Sequence, residues 1–111
     1  MEIKQERDGD KLTVALSGRL DAATSIELGK TLNESLDGVS ELTLDLKDLY
    51  YIASAGLRIL LQTMKKMDKQ NGKMTVRNVQ DTVISVIEMS GFDGLLNIER
   101  VETKGFKASI G

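Results

Sequence analysis

Apolar residues along this chain recur at two different periods, and the switching between them leaves few folds open. Leu12, Val14 and Leu16 alternate with Thr13, Ala15 and Ser17, the period of two that marks a half-buried strand. Met1 and Ile3 suggest a shorter strand before it. Asp8-Gly9-Asp10 lies between, and Asp-Gly is a strong hairpin signal because glycine takes positive φ at little cost. A helix follows: Thr24-Ser25-Ile26-Glu27 fits a capping box, Leu28, Leu32 and Leu36 repeat at one-turn spacing, and Gly38 is placed to end it. Leu42, Leu44 and Leu46 alternate with Thr43 and Asp45 as a further strand.

The second helix carries the clearest pattern. Leu57, Leu60, Leu61 and Met64 fall at i, i+3, i+4 and i+7, Met67 extends the stripe, and Gln62, Lys65, Lys66 and Lys69 take the other side. Asn71-Gly72 ends it, and Met74 and Val76 mark the next strand. Val79, Val83, Val86 and Ile87 trace a third helix, opened by Asn78 or Asp81 and closed by Gly91. A last strand is expected over Leu96 to Val101, while Lys104 to Gly111 is weakly patterned. The order predicts an α/β fold: an antiparallel N-terminal hairpin, then strand–helix alternation giving a mixed β-sheet with right-handed crossovers, packed by amphipathic helices.

The 111 residues fit one domain. Histidine, cysteine, tryptophan and proline are absent, which excludes His-containing triads, thiol nucleophiles, disulfides and the common zinc sites. A formal charge of −2 with the signs well mixed gives no basic face for nucleic acid. The longest aliphatic stretch, Leu57 to Leu61, is interrupted by Arg58, so no segment reads as membrane-spanning. The opening MEIKQERDGD has no signal-peptide core, and a cytoplasmic location is expected.

In open α/β sheets, ligands and partners gather where strands end and helices begin. That points to the stretch Asp45 to Leu57, where Ser54 stands before the second helix among Ala53, Ala55 and Gly56. The N–H groups of a first helical turn are unpaired and the dipole is positive there, so a phosphate on Ser54 would be accommodated. Serine is also a preferred N-cap, and spacing alone accounts for Ser54 on that ground. Gly56 can serve only to bring the helix close to the sheet. A nucleophile elbow needs glycine where Ile52 stands, and with no histidine as base a hydrolase is rejected. No phosphate-binding glycine loop is present. Asp21, Asp45 and Asp48 are read as structural, near a helix start, at a strand end and in a turn, rather than as metal ligands. No cofactor is expected.

The run Leu44-Asp45-Leu46-Lys47-Asp48-Leu49-Tyr50-Tyr51-Ile52-Ala53-Ser54-Ala55-Gly56-Leu57 resembles the signature of the STAS domain. Ser17-Gly18-Arg19-Leu20-Asp21 looks like that family's S-G-x-L-D segment. Met89-Ser90-Gly91-Phe92 with Leu95-Leu96 looks like its closing segment. The resemblance covers nearly the whole chain and implies a single STAS domain over residues 1–111, a bacterial anti-sigma-factor antagonist and not an enzyme. It implies an anti-sigma serine kinase as partner, phosphorylation of Ser54 as the switch, and a metal-dependent serine phosphatase that reverses it. Ala53 and Ala55 stand where other members carry Asp and a second Ser, so Ser54 is the only hydroxyl left in the turn. The partner surface implied comprises Asp21, Thr24, Tyr50, Tyr51, Ala53, Ser54, Ala55, Gly56 and Arg58. The alternative is a STAS scaffold or subunit of a lipid-transport or signalling complex, without phosphorylation.

Overall fold

The computed structural model describes residues 1–92 and 94–100. Along them run β1 (Glu2–Asp8), β2 (Lys11–Leu20), α1 (Ala22–Ser35), β3 (Glu41–Ile52), α2 (Ser54–Lys69), β4 (Lys73–Val79), α3 (Asp81–Met89) and β5 (Ile98–Arg100). This is the element order expected from the periodicities. The strands form one sheet in the order β1-β2-β3-β4-β5. β1 is antiparallel to β2, and the remaining neighbours are parallel. Asp8 pairs with Lys11, leaving Gly9-Asp10 as a two-residue turn, and Gly9 takes φ +63° at its first position, as a type II′ hairpin requires.

Each parallel strand is laid beside the previous one in the same direction, so three right-handed crossovers place α1, α2 and α3 on a single face. That face holds the buried residues Leu12, Val14, Leu16, Leu42, Leu44, Leu46 and Val76. Their neighbours Thr13, Ala15, Thr43, Asp45 and Thr75 are only partly buried and cover the other face. A parallel sheet buried on both faces would read as continuous apolar runs; one open face produces the clean alternation seen here.

The alternation breaks twice in β3. Burial there falls at Leu42, Leu44 and Leu46, then at Leu49 and Ile52. The β2–β3 register shifts twice, between Ala15 and Ser17 and between Gly18 and Arg19. Each shift adds a residue to β3, as a bulge does, and moves the inward phase by one. Asp45 and Asp48, expected at a strand end and in a turn, both lie inside β3.

Both later helices close as expected. Asn71 (φ +58°) and Gly91 (φ +75°) take the left-handed conformation. Gly72 N–H donates to Met67 O at 2.8 Å and Phe92 N–H to Ile87 O at 3.2 Å, the long hydrogen bonds of a Schellman motif. Gln70 Nε2 ties the end of α2 to the carbonyls of Leu36 (2.9 Å) and Val39 (2.8 Å) below α1. The third helix starts later than its apolar stripe suggested. Val79 is buried inside β4, Gln80 is the N-cap, and neither Asn78 nor Asp81 caps. Of the expected last strand, Val101 lies outside the described residues, as does the Lys104–Gly111 tail.

Candidate functional site

β2 and β3 are parallel neighbours, so the helices that follow them start side by side. Ala53 N–H donates to Leu20 O at 2.9 Å, joining the residue before α2 to the residue before Asp21. The two starts are built differently.

At α1 the N-cap is Asp21, not the expected Thr24. Its carboxylate accepts from Thr24 N–H at 3.0 Å, while Thr24 Oγ1 accepts from Asp21 N–H at 2.9 Å, closing a reciprocal box. Glu27, the partner expected for Thr24, is exposed and outside it. The backbone N–H of Thr24, then its hydroxyl, hold the Asp21 carboxyl below the ordinary aspartate range, with smaller help from Ala23 N–H and the Arg19 guanidinium.

At α2 the N-cap is Ala53, in extended conformation and with no side chain able to cap. Ser54 is the first helical residue, not the N-cap, and is exposed. Its place follows from the strand before it: Ile52 is buried and paired with Leu20, which keeps the chain extended until Ala53. The cap therefore offers no side-chain acceptor to the first N–H groups of α2, and the positive end of the helix dipole stands at Ser54.

Gly56 belongs to the implied partner surface in sequence only. It is buried, and a Cβ there would come within 2.8 Å of Leu20 Cδ2 and 2.9 Å of Ile52 Cγ1. Its missing side chain lets α2 seat on the sheet, the packing role its sequence position allowed. Arg58, one turn on, is exposed, and Ala53 and Ala55 are half-buried.

The β3 approach supplies the aromatic part. Tyr50 is 65% exposed and Tyr51 41%. The Arg19 guanidinium lies 4.5 Å from the centre of the Tyr51 ring, a cation–π arrangement. Arg19 was not singled out from sequence, although it lies in Ser17-Gly18-Arg19-Leu20-Asp21; the signal is its register with Tyr51, which appears only once β2 and β3 are paired. Asp21, Thr24, Tyr50, Tyr51, Ser54 and Arg58 thus surround one end of the β2–β3 pair. Asp45 accepts from Lys47 N–H at 3.0 Å and from Asn78 Nδ2 at 3.1 Å. Among the described residues no three acidic side chains converge as a metal site would require.

The family model of the STAS domain matches residues 2–104. The chain belongs to the STAS domain family. The anti-sigma F factor antagonist of Paenibacillus polymyxa is 30% identical over 100 residues, covering 88% of this chain and 86% of that one. The unphosphorylated anti-sigma factor antagonist SpoIIAA superposes with a TM-score of 0.78 at 18% identity, covering 99% of this chain and 97% of its own. The phosphorylated form of the Bacillus cell fate determinant SpoIIAA gives 0.71 at 17% identity, covering 97% and 99%. These structures share the fold of this STAS domain. No described helix is long and apolar enough to cross a membrane.

Proposed function

We propose that this STAS domain is a cytoplasmic anti-sigma factor antagonist, one domain over its full length, that binds an anti-sigma serine kinase and is released by phosphorylation of Ser54. The observation that carries the reading is the exposed Ser54 at an α2 start that no side chain caps. The kinase would transfer the γ-phosphoryl group of ATP to Ser54 Oγ, with the hydroxyl proton passing to a base of the kinase and ADP leaving. A metal-dependent phosphatase would return the hydroxyl by hydrolysis. The contact surface is Asp21, Thr24, Tyr50, Tyr51, Ala53, Ser54, Ala55 and Arg58, with Gly56 beneath it. A phosphate adds about −1.5 to −2 charges at the α2 start, which the Ala53–Leu20 hydrogen bond joins to the chain just before Asp21. An interface closed over Ser54 would have to desolvate that charge, whereas the free α2 start can solvate it.

The test is intact-mass and peptide mass spectrometry after incubation with ATP and the cognate serine kinase, alongside binding titrations. One added phosphate on Ser54 is expected, with Ser54→Ala keeping kinase binding and Ser54→Asp losing it. Binding without phosphate would mean a constitutive antagonist. Neither binding nor phosphate would overturn the reading and leave a scaffold within a lipid-transport or signalling complex.

A further inference from the structure

The β3–β4 ladder stops early. Its last register pair is Asp45 with Arg77, although β3 runs seven residues further, to Ile52. At that point β4 turns away from β3: Asn78 sits at φ +56°, and the β4–β5 register shifts between Val76 and Val79. The segment carrying Tyr50 and Tyr51 is paired on its β2 side and, among the described residues, has no backbone ladder on the other.

Three alternate side chains, from the end of β4 through Gln80 into the first turn of α3, occupy that open side. Asn78 Nδ2 donates to Asp45 Oδ1 at 3.1 Å, Gln80 Nε2 donates to the Lys47 carbonyl, and Thr82 Oγ1 donates to the Tyr50 carbonyl at 3.2 Å. They advance along β3 in step with the chain and replace the absent strand partner. Two of the acceptors, Lys47 and Tyr50, are main-chain carbonyls of the residues that the two β3 register shifts add. A left-handed conformation at a non-glycine residue persists only where its surroundings hold it, and here Asn78 is where the connection turns along β3.

We propose that Gln80 and Thr82, with Asn78 setting their start, are positioning residues for the partner surface, fixing the height and angle at which Tyr50 and Tyr51 are presented. This rests on the antagonist reading above. The clasp touches no residue of the switch itself, so its loss should alter how the kinase is met and not how Ser54 is phosphorylated once bound.

The experiment compares wild type, Thr82→Val, Gln80→Met/Thr82→Val and Thr82→Ser for affinity to the cognate serine kinase. The KM and kcat of Ser54 phosphorylation, and amide exchange over residues 46–52, are measured on the same proteins. Two lost hydrogen bonds predict about a tenfold weaker affinity and higher KM for the double variant. An unchanged kcat, faster exchange over the segment, and recovery with Thr82→Ser are also expected. Wild-type affinity in the double variant would overturn the proposal and leave the antagonist reading intact. An affinity loss with unchanged exchange over residues 46–52 would overturn it too, since the clasp would then not hold the segment. If the double variant does not fold, the exposed single change Thr82→Val carries the same comparison. Failure of wild type to bind the kinase at all would remove the antagonist reading and this inference with it.

Discussion

The starts of α1 and α2 lie side by side on neighbouring strands, yet one is closed and the other open. α1 opens on Asp21 and Thr24, each satisfying the other's backbone. α2 opens on Ala53, Ser54 and Ala55, with Gly56 completing its first turn. Replacing a capping residue with alanine ordinarily weakens a helix by about 1 kcal/mol, so the α2 start forgoes a stabilisation that its neighbour uses. α2 is seated by burial: Leu57, Leu60 and Met67 are almost wholly buried, as Leu28 and Leu32 of α1 are, and Gly56 is in addition pressed against Leu20 and Ile52. The contrast teaches that a helix seated by packing can go without a side-chain cap, as α3 also does behind Gln80, whereas α1 adds a local box to its packing.

The sharpest way to break this contrast is to remove the packing that lets α2 go uncapped. Gly56→Val would drive a side chain into Leu20 and Ile52, and such overpacking costs about 1–3 kcal/mol. A lower urea midpoint is expected, whereas Gly29→Ala, whose Cβ would meet the end of the Ile59 side chain at 3.0 Å, should not lower it, because alanine favours a helix interior over glycine by about 0.5–1 kcal/mol. A midpoint unchanged by Gly56→Val would mean that α2 is not seated by close approach.

Opening the closed end comes next in size. Asp21→Ala should lower the urea midpoint at neutral pH. The folded-state carboxyl titrates below its unfolded value. The stabilisation is therefore complete above the ordinary aspartate range and is lost as pH falls through the depressed folded value. Midpoints of wild type and variant should converge in acid; a gap that persists there would assign the effect to something other than the carboxylate.

Closing the open end is the smallest change. Ala53→Asp installs on α2 the acceptor that α1 has, and should raise stability by about 0.5–1 kcal/mol while weakening kinase binding, because the carboxylate stands next to Ser54. A higher urea midpoint with undiminished kinase binding would show that the open turn is not part of the contact.

Much of this arrangement is readable in the residues, and the misreadings have a common cause. Leu57, Leu60 and Met67 announce α2, and Leu12 through Leu16 announce β2, because burial on one face imposes a period. The exact starts of the helices are not announced. Thr24 to Glu27 fits a capping box as well as Asp21 to Thr24 does, and Ser54 suits an N-cap as well as a first turn. Those choices are made by tertiary pairing: Leu20 and Ile52 are held together in the sheet, so both helices can begin only beyond them. The β3 bulges and the side-chain clasp on Lys47 and Tyr50 leave no local signature, since they depend on how far β4 runs before it turns away.

The sheet order also bears on how the chain reaches this state. Because each strand lies beside the one before it in sequence, no strand must be inserted between two that have already paired. The parallel pairs join residues such as Leu12 with Leu42 and Leu42 with Met74, about thirty positions apart in each case, and the entropy of closing a loop rises only slowly with its length. Assembly can therefore start at the β2–β3 unit and extend toward either edge, by the hairpin to β1 on one side and by helix-bridged closures on the other.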